Sequence, residues 1–328
     1  MEDTMRRVRY HEYGGPEVLT LEETGIPSPA AGQVLIRTEA IGANFVDTKL
    51  RRGPESGPLF HRDLPAVLTG DVVGTVESVG EGGDGSLVGR RVAALVEDAF
   101  ADYVIADAAW LAEVPDGLDL GAASMLPLGG PVALGALRLG RVETGDTVLV
   151  HAAAGGIGHL AVQLAKLLGA GTVIATAGSA AKLDFARSLG ADHAVDYTEE
   201  DWPEQVREAA PGGVDLVLDS VGGEVLLRSL DLLAPLGRLV VYGAASSELA
   251  AIPVTRLFGL KQVTGYSLLA WRAARPDLAR RDVEETTAHF AAGRLRAAVH
   301  AELPLTEAVE AHRQLEERAN LGRILLLP

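Results

Sequence analysis

The sequence predicts an α/β protein in which a doubly wound parallel sheet is inserted into a β-rich, partly open barrel. Three observations lead there. A strand, a glycine turn and a helix follow one another over residues 146–170. Short apolar runs and amphipathic stretches then alternate as far as Tyr266. Before this region short strands are separated by Gly and Pro clusters, and after it the tail changes character again. The chain of 328 residues exceeds the roughly 250–300 at which single cores stop growing, so two domains are expected. These are 1–125 with 268–328, and 126–267, with a cleft between them to seat a substrate.

From Arg6 to about Ala123, segments such as Val34-Leu35-Ile36-Arg37 and Arg91-Val92-Ala93-Ala94-Leu95 alternate with Gly14-Gly15-Pro16, Pro27-Ser28-Pro29 and Gly82-Gly83-Asp84-Gly85. That spacing suits a small barrel. Residues 121–139 read as helical pieces around Pro127 and Pro131. Residues 147–150 then form an apolar run suited to a strand buried on both faces. Small residues follow, Ala152-Ala153-Ala154-Gly155-Gly156-Ile157-Gly158. Ile157, Leu160, Ala161, Leu164 and Leu168 recur at helical spacing, and Gly169 closes the helix.

In this context a glycine motif signifies dinucleotide binding. A pyrophosphate must approach the backbone amides and the positive end of the helix dipole, and a Cβ in the wrong place blocks it. Against G-x-G-x-x-G, Ala153 takes the first position while Gly155 and Gly158 fill the others. The spacing alone also suits a glycine-rich turn in another doubly wound protein.

Further strands are expected at 172–176, 193–196, 215–219 and 238–242, with an edge strand at 262–266. Helices are expected at 158–168, 181–189, 202–210 and 224–233. Such alternation predicts parallel strands joined by right-handed crossovers. The tail reads as helices at 283–292 and 306–317, the second capped by Thr306, then a strand at 324–327 rejoining the first domain.

Composition narrows the function. A formal charge of −16 disfavours nucleic acid, and there is no basic stripe. The absence of cysteine excludes disulfides, thiolate metal sites and cysteine nucleophiles, and the histidines show no metal-ligand spacing. No apolar run suits a membrane span and the start does not read as a signal peptide, so a cytoplasmic location is expected. The second predicted strand ends in Ala175-Thr176-Ala177-Gly178-Ser179, without the carboxylate that binds the ribose hydroxyl of NAD. Ser179 and the following Lys182 favour a 2′-phosphate instead, hence NADPH.

Several separated blocks then resemble one family. They are Tyr13-Gly14-Gly15-Pro16-Glu17-Val18-Leu19, Gly42-Ala43-Asn44-Phe45-Val46-Asp47, Gly70-Asp71-Val72-Val73-Gly74, the stretch 151–158, Leu189-Gly190-Ala191-Asp192, Asp219-Ser220-Val221-Gly222-Gly223 and Gly322-Arg323-Ile324-Leu325. Across nearly the whole chain the sequence is similar to the zinc-free quinone oxidoreductases, the zeta-crystallin-like branch of the medium-chain dehydrogenase/reductase superfamily. The resemblance implies a GroES-like catalytic domain and a Rossmann domain. It implies a cytoplasmic homodimer, pairing through the edge of the nucleotide domain, that uses NADPH to reduce a small quinone or electron-poor enone. Zinc-dependent relatives carry Gly-His-Glu where this chain has Gly70-Asp71-Val72, so no metal is implied.

Carried over residue by residue, Ala153, Gly155, Gly156, Ile157 and Gly158 form the pyrophosphate turn. Lys182, Tyr197 and Arg318 fall at the adenosine 2′-phosphate end, with Ser179. Gly243 and Ala244 pass the nicotinamide riboside, and Val221 is a further cofactor position. Asn44 and Asp47 lie in the substrate-side motif, with Asn44 near the nicotinamide.

Each residue also has a plain structural reading. Asn44 suits a turn, Asp47 a backbone-bonded carboxylate, Tyr197 a packed ring, Arg318 a surface ion pair and His151 a buried imidazole.

Two departures stand out. Lys49 replaces an aromatic, typically Tyr, and Pro131 replaces a Thr near the carboxamide. A cation at Lys49 would act as charge partner or proton donor for an acceptor with an anionic or carbonyl group. Alternatives to quinone reduction are an enoyl-thioester or alkenal reductase in a biosynthetic pathway, which needs a placed acid such as Lys49 or Asp47. A non-catalytic NADPH-binding, crystallin-like protein is the third.

Overall fold

A computed structural model describes residues 4–328. The chain divides into two units, 1–129 with 283–328, and 130–282.

The first unit opens with β1 (Thr4–Tyr10), β2 (Leu19–Gly25) and β3 (Gln33–Ala43), then α1 (Phe45–Arg52). There follow β4 (Ala66–Val67), β5 (Gly70–Val79), β6 (Arg91–Val96), β7 (Tyr103–Asp107), β8 (Ala112–Glu113) and α2 (Leu120–Ala123). The long β3 pairs antiparallel with both β5 and β7, and β5 continues to β6. Its apolar residues turn inward with those of β5 and β6, so Val34, Ile36, Ile41, Val72, Val76 and Val92 share one core with Phe100. Curving strands this tightly needs close backbone approach. A Cβ on Gly74 would fall against the β3 backbone and Ile36.

The second unit runs α3 (Gly129–Leu139), β9 (Thr147–Val150), α4 (Gly158–Leu167), β10 (Thr172–Ala177), α5 (Ala180–Ser188), β11 (His193–Asp196) and α6 (Trp202–Ala209). It continues with β12 (Val214–Asp219), α7 (Gly223–Leu232), β13 (Leu233–Val241), β14 (Gln262–Gly265) and α8 (Leu268–Ala274). The six strands lie in the order β11-β10-β9-β12-β13-β14, and every pairing is parallel. Chain order reverses between β9 and β12, and ligands of doubly wound sheets bind at the carboxyl ends of strands beside such a reversal. Val148, Leu149 and Val150 have no exposed surface, which is why this strand reads as a continuous apolar run. At the end of α4, Gly169 takes φ +96°, its amide donates to Lys166 and that of Ala170 to Ala165, completing a glycine-capped terminus.

The chain returns through α9 (Pro276–Ala291), β15 (Val299–Pro304), α10 (Ala308–Glu316) and β16 (Arg323–Leu327). β16 pairs with β3, joining the tail to the barrel sheet. The parallel-sheet elements fall within a few residues of expectation, except that β13 begins at Leu233. Three features differ. α9 starts at Pro276, and α8, capped by Ser267 through the Ala270 amide, was not anticipated. Thr306 is no cap, because a 3₁₀ turn at Leu305–Glu307 precedes α10. Among the described residues no helix is long and apolar enough to cross a membrane.

Candidate active site

The candidate residues fall into two groups, one in each unit. In the second unit, β9 ends at Val150 and the chain turns through Ala152, whose φ of +49° is left-handed. Ala153 is buried, and its amide donates to Thr176 at 2.9 Å, tying the turn to β10. A Cβ on Gly158 would strike the Ala152 carbonyl and come within 2.8 Å of Ala153 Cα. Glycine there lets α4 begin close under the strand. Gly155 differs, because the nearest atom to a Cβ is the Ala152 carbonyl oxygen at 3.3 Å. Gly155, Gly156 and Ile157 form a half-buried rim before a helix that no side chain caps. The Gly155, His159 and Leu160 amides donate to nearby carbonyls, which leaves those of Gly156, Ile157 and Gly158 to receive an anion.

One strand over, Ser179 takes the N-cap position of α5 in extended backbone, yet its hydroxyl makes no capping bond. The Tyr197 amide donates to Ala177 at 3.2 Å, and a Cβ on Gly178 would lie 3.8 Å from Tyr197 Cε2. Lys182 is half-buried in the first turn of α5. Ser179, Lys182 and Tyr197 thus gather at the carboxyl ends of β10 and β11. Asp196, on β11, accepts from the Thr198 amide at 2.9 Å and hydroxyl at 2.7 Å and so closes its own turn.

Beyond the reversal, the buried Asp219 accepts from the amides of Val221 at 2.8 Å and Gly222 at 3.2 Å. Burial pushes this carboxyl up, and the two amides oppose that. A Cβ on Gly243 would lie 2.9 Å from the Ser220 carbonyl, so the loops after β12 and β13 touch and bring Val221, Gly243 and Ala244 together. The Ser246 amide donates to Val221 at 2.9 Å across the same seam. His151 is buried, with ring nitrogens 2.7 Å from Thr176 Oγ1 and 2.7 Å from Ser229 Oγ. Burial drives it down to about 3, so it is a neutral core imidazole. Pro131 sits in the first turn of α3, where its missing N–H costs nothing, and its carbonyl accepts from the Tyr266 hydroxyl at 3.3 Å.

In the first unit, α1 carries Asp47 and Lys49, with Asn44 just before it. Asp47 is fully buried and engages both carboxylate oxygens with Thr69. Arg51 is buried too, donating to Gly14, His312 and Glu316, while Arg52 reaches Glu316 at 2.8 Å. These bonds lash α1 to the end of α10, which delivers Arg318 to the neighbourhood of Lys49. Lys49 is half-buried, with Nζ 5.4 Å from the centroid of the Phe45 ring. Burial first, and then the positive charge of Arg318, hold its ammonium below the ordinary lysine value, with Glu316 opposing. Arg318 thus belongs to the first unit, whereas Ser179, Lys182 and Tyr197 belong to the second.

One residue escaped the sequence reading. Arg323, the first residue of β16, is 3% exposed and donates from Nη1 to Asn44 at 2.9 Å and from Nη2 to Asp71. A cation opening the apolar strand Arg323–Leu327 was the available signal.

Among the described residues no three His, Cys, Asp or Glu side chains are grouped to hold a metal ion. At the Gly-His-Glu position of zinc-dependent relatives stands Asp71, paired with Arg323. The residues present do not fit a zinc ion.

A GroES-like barrel and a Rossmann-type parallel sheet in one chain define the medium-chain dehydrogenase/reductase superfamily. Residues 30–116 match the alcohol dehydrogenase GroES-like domain and residues 156–284 the zinc-binding dehydrogenase family. The chain is 38% identical to a 2-haloacrylate reductase of Burkholderia sp over 97% of each chain. It is 34% identical to quinone oxidoreductase 1 of Escherichia coli K12, over 98% of this chain and 99% of that one. The structure of Escherichia coli quinone oxidoreductase complexed with NADPH matches with a TM-score of 0.90 at 32% identity, covering 99% and 100% of the two chains. A mycobacterial protein complexed with NADPH matches at 0.91 and 36% identity, over 99% and 100%. The chain belongs to the quinone oxidoreductase branch of this superfamily and is an enzyme of that type.

Proposed function

We propose that the enzyme takes NADPH and reduces a quinone or an electron-poor enone whose carbonyl or carboxylate end lies against Lys49. The residues fit a phosphorylated dinucleotide. Gly155 leaves the turn open to a pyrophosphate, and the uncapped start of α4 offers amides to it. Ser179, Lys182 and Tyr197 supply hydroxyls and a cation for a 2′-phosphate, and β10 ends without a carboxylate. Bound NADPH supplies the hydride. With no metal ligand set among the described residues, the protein's part is to orient the acceptor, exclude water and move the proton.

Lys49 is the observation that carries the choice of acceptor. It stands where quinone reductases of the family have an aromatic, and its partial burial beside Arg318 makes the ammonium readier to release a proton. Reducing a conjugated double bond requires a proton at the carbon next to the carbonyl, and Asp47, engaged by Thr69, is poorly placed to give it. That a relative is named 2-haloacrylate reductase, after a conjugated carboxylate, agrees with a cation at this point.

The test is a product assay with NADPH, using 2-chloroacrylate as one acceptor and a benzoquinone as the other. Wild type should yield the saturated acid, and K49M should lose about tenfold or more in kcat/KM on the acrylate, as befits a charge-assisted bond. Unchanged acrylate kinetics in K49M would remove Lys49 from the site.

We further propose a homodimer through the outer edge of β14. It is an edge strand, and Val254, Phe258 and Leu260 beside it are exposed.

A further inference from the structure

Asn44 occupies the N-cap of α1, a position where asparagine ordinarily bonds a helix amide, yet its side chain makes no such bond. Arg323 takes it instead, donating from Nη1 at 2.9 Å. A guanidinium has donors only, so the atom facing it is Oδ1, and the orientation of the carboxamide is settled. Nδ2 therefore points away from Arg323. Among the described residues it has no hydrogen-bond partner, and it is not sealed from solvent.

The other arm of Arg323 pairs with Asp71, which is fully buried. Space for the guanidinium comes from Gly42, which lies opposite Asp71 in the β3–β5 ladder and opposite Leu325 in the β3–β16 ladder. A Cβ on Gly42 would overlap the guanidinium. Arg323 Nε is buried without a partner, an arrangement that stability alone does not favour. A buried ion pair is in any case weak evidence of a stabilising role.

We infer that Arg323, anchored by Asp71, is a positioning residue that holds the Asn44 carboxamide with its NH2 offered as a hydrogen-bond donor to the bound ligand. This rests on reading Asn44 as a residue of the nicotinamide side of the site. In this arrangement three chain segments contribute one aimed donor: β5 the anion, β16 the cation and the β3–α1 junction the amide.

The experiment measures NADPH dissociation constants by calorimetry, and kcat, on the full-length protein. N44A should weaken NADPH about fivefold to tenfold, the scale of one hydrogen bond. The pair D71N/R323M removes both charges together, so neither is stranded, and should give the same loss. Adding N44A to that pair should cost nothing more, because the donor is already unaimed. R323K, whose ammonium has three donors, should restore binding to within about twofold of wild type. N44D puts a second carboxylate on Arg323 and offers no donor, so it should lose at least as much as N44A. Wild-type NADPH affinity in N44D, or in a folded D71N/R323M, alongside a weakened N44A, would overturn the positioning role while leaving Asn44 in the site. An N44A protein with unchanged affinity and kcat would instead remove Asn44 from the site, and the inference with it.

Discussion

Asp47 accepts two hydrogen bonds from a single residue, the Thr69 amide at 2.8 Å and the Thr69 hydroxyl at 2.6 Å. Burial, only partly offset by those bonds, pushes the carboxyl up to about 6 from 3.8. The folded protein therefore holds this proton more tightly than the unfolded chain does. Its contribution to stability is complete below about pH 4 and is lost as pH rises through 6, about 3 kcal/mol in all. Asn at this position can keep both Thr69 contacts and cannot titrate. Denaturant unfolding across pH 4–7 should show wild type losing stability relative to D47N as pH rises. Parallel pH profiles would show that Asp47 does not titrate in this range.

Gly155 and Gly158 should respond differently to the same substitution. G158A drives a Cβ into the Ala152 carbonyl and should cost about 1–3 kcal/mol of stability. G155A meets only the Ala152 oxygen at 3.3 Å and should lose less than about 1 kcal/mol. Its NADPH affinity should nevertheless fall about tenfold, because the methyl occupies the approach of the pyrophosphate. Thermal melts and calorimetric titration of both variants separate the two effects.

Lys182→Ala should weaken NADPH about tenfold or more and change NADH less than about twofold, as expected for loss of a charge-assisted bond to a 2′-phosphate. Fluorescence titration with each nucleotide decides it. Equal losses for both would place Lys182 elsewhere on the dinucleotide.

Phe258 is 77% exposed beside the β14 edge. A charge there should abolish pairing of two copies along that edge, since a buried unpaired carboxylate is strongly disfavoured. Sedimentation velocity should find wild type as a dimer and F258D as a monomer of unchanged thermal stability per chain. A dimer that survives F258D would move the interface elsewhere.

The second unit was legible because a parallel sheet buries its strands on both faces. Val148 to Val150 and Leu216 to Leu218 are continuous apolar runs, and glycines such as Gly169 mark where helices stop. The helix α1 was not legible. It turns Asp47, Thr48 and Arg51 inward, the reverse of the usual pattern, and only distant partners such as Thr69, His312 and Glu316 make those polar groups tolerable. Thr306 misled for a local reason: a 3₁₀ turn is inserted exactly where capping chemistry suggested an α-helical start. The glycine turn before α4 could be read from local spacing, whereas Asn44 meets Arg323, 279 positions away, and Arg323 in turn meets Asp71, and no periodicity connects them.

The Asp71–Arg323 pair also constrains how this enzyme can diverge. Histidine at position 71 alone, as in the Gly-His-Glu of zinc-dependent relatives, would leave the Arg323 guanidinium without its Asp71 countercharge. Neither charge can be lost by itself without stranding the other in a buried site. The charge at one end of β16 is thereby tied to the charge at the start of β5, although the two strands lie 252 positions apart in sequence.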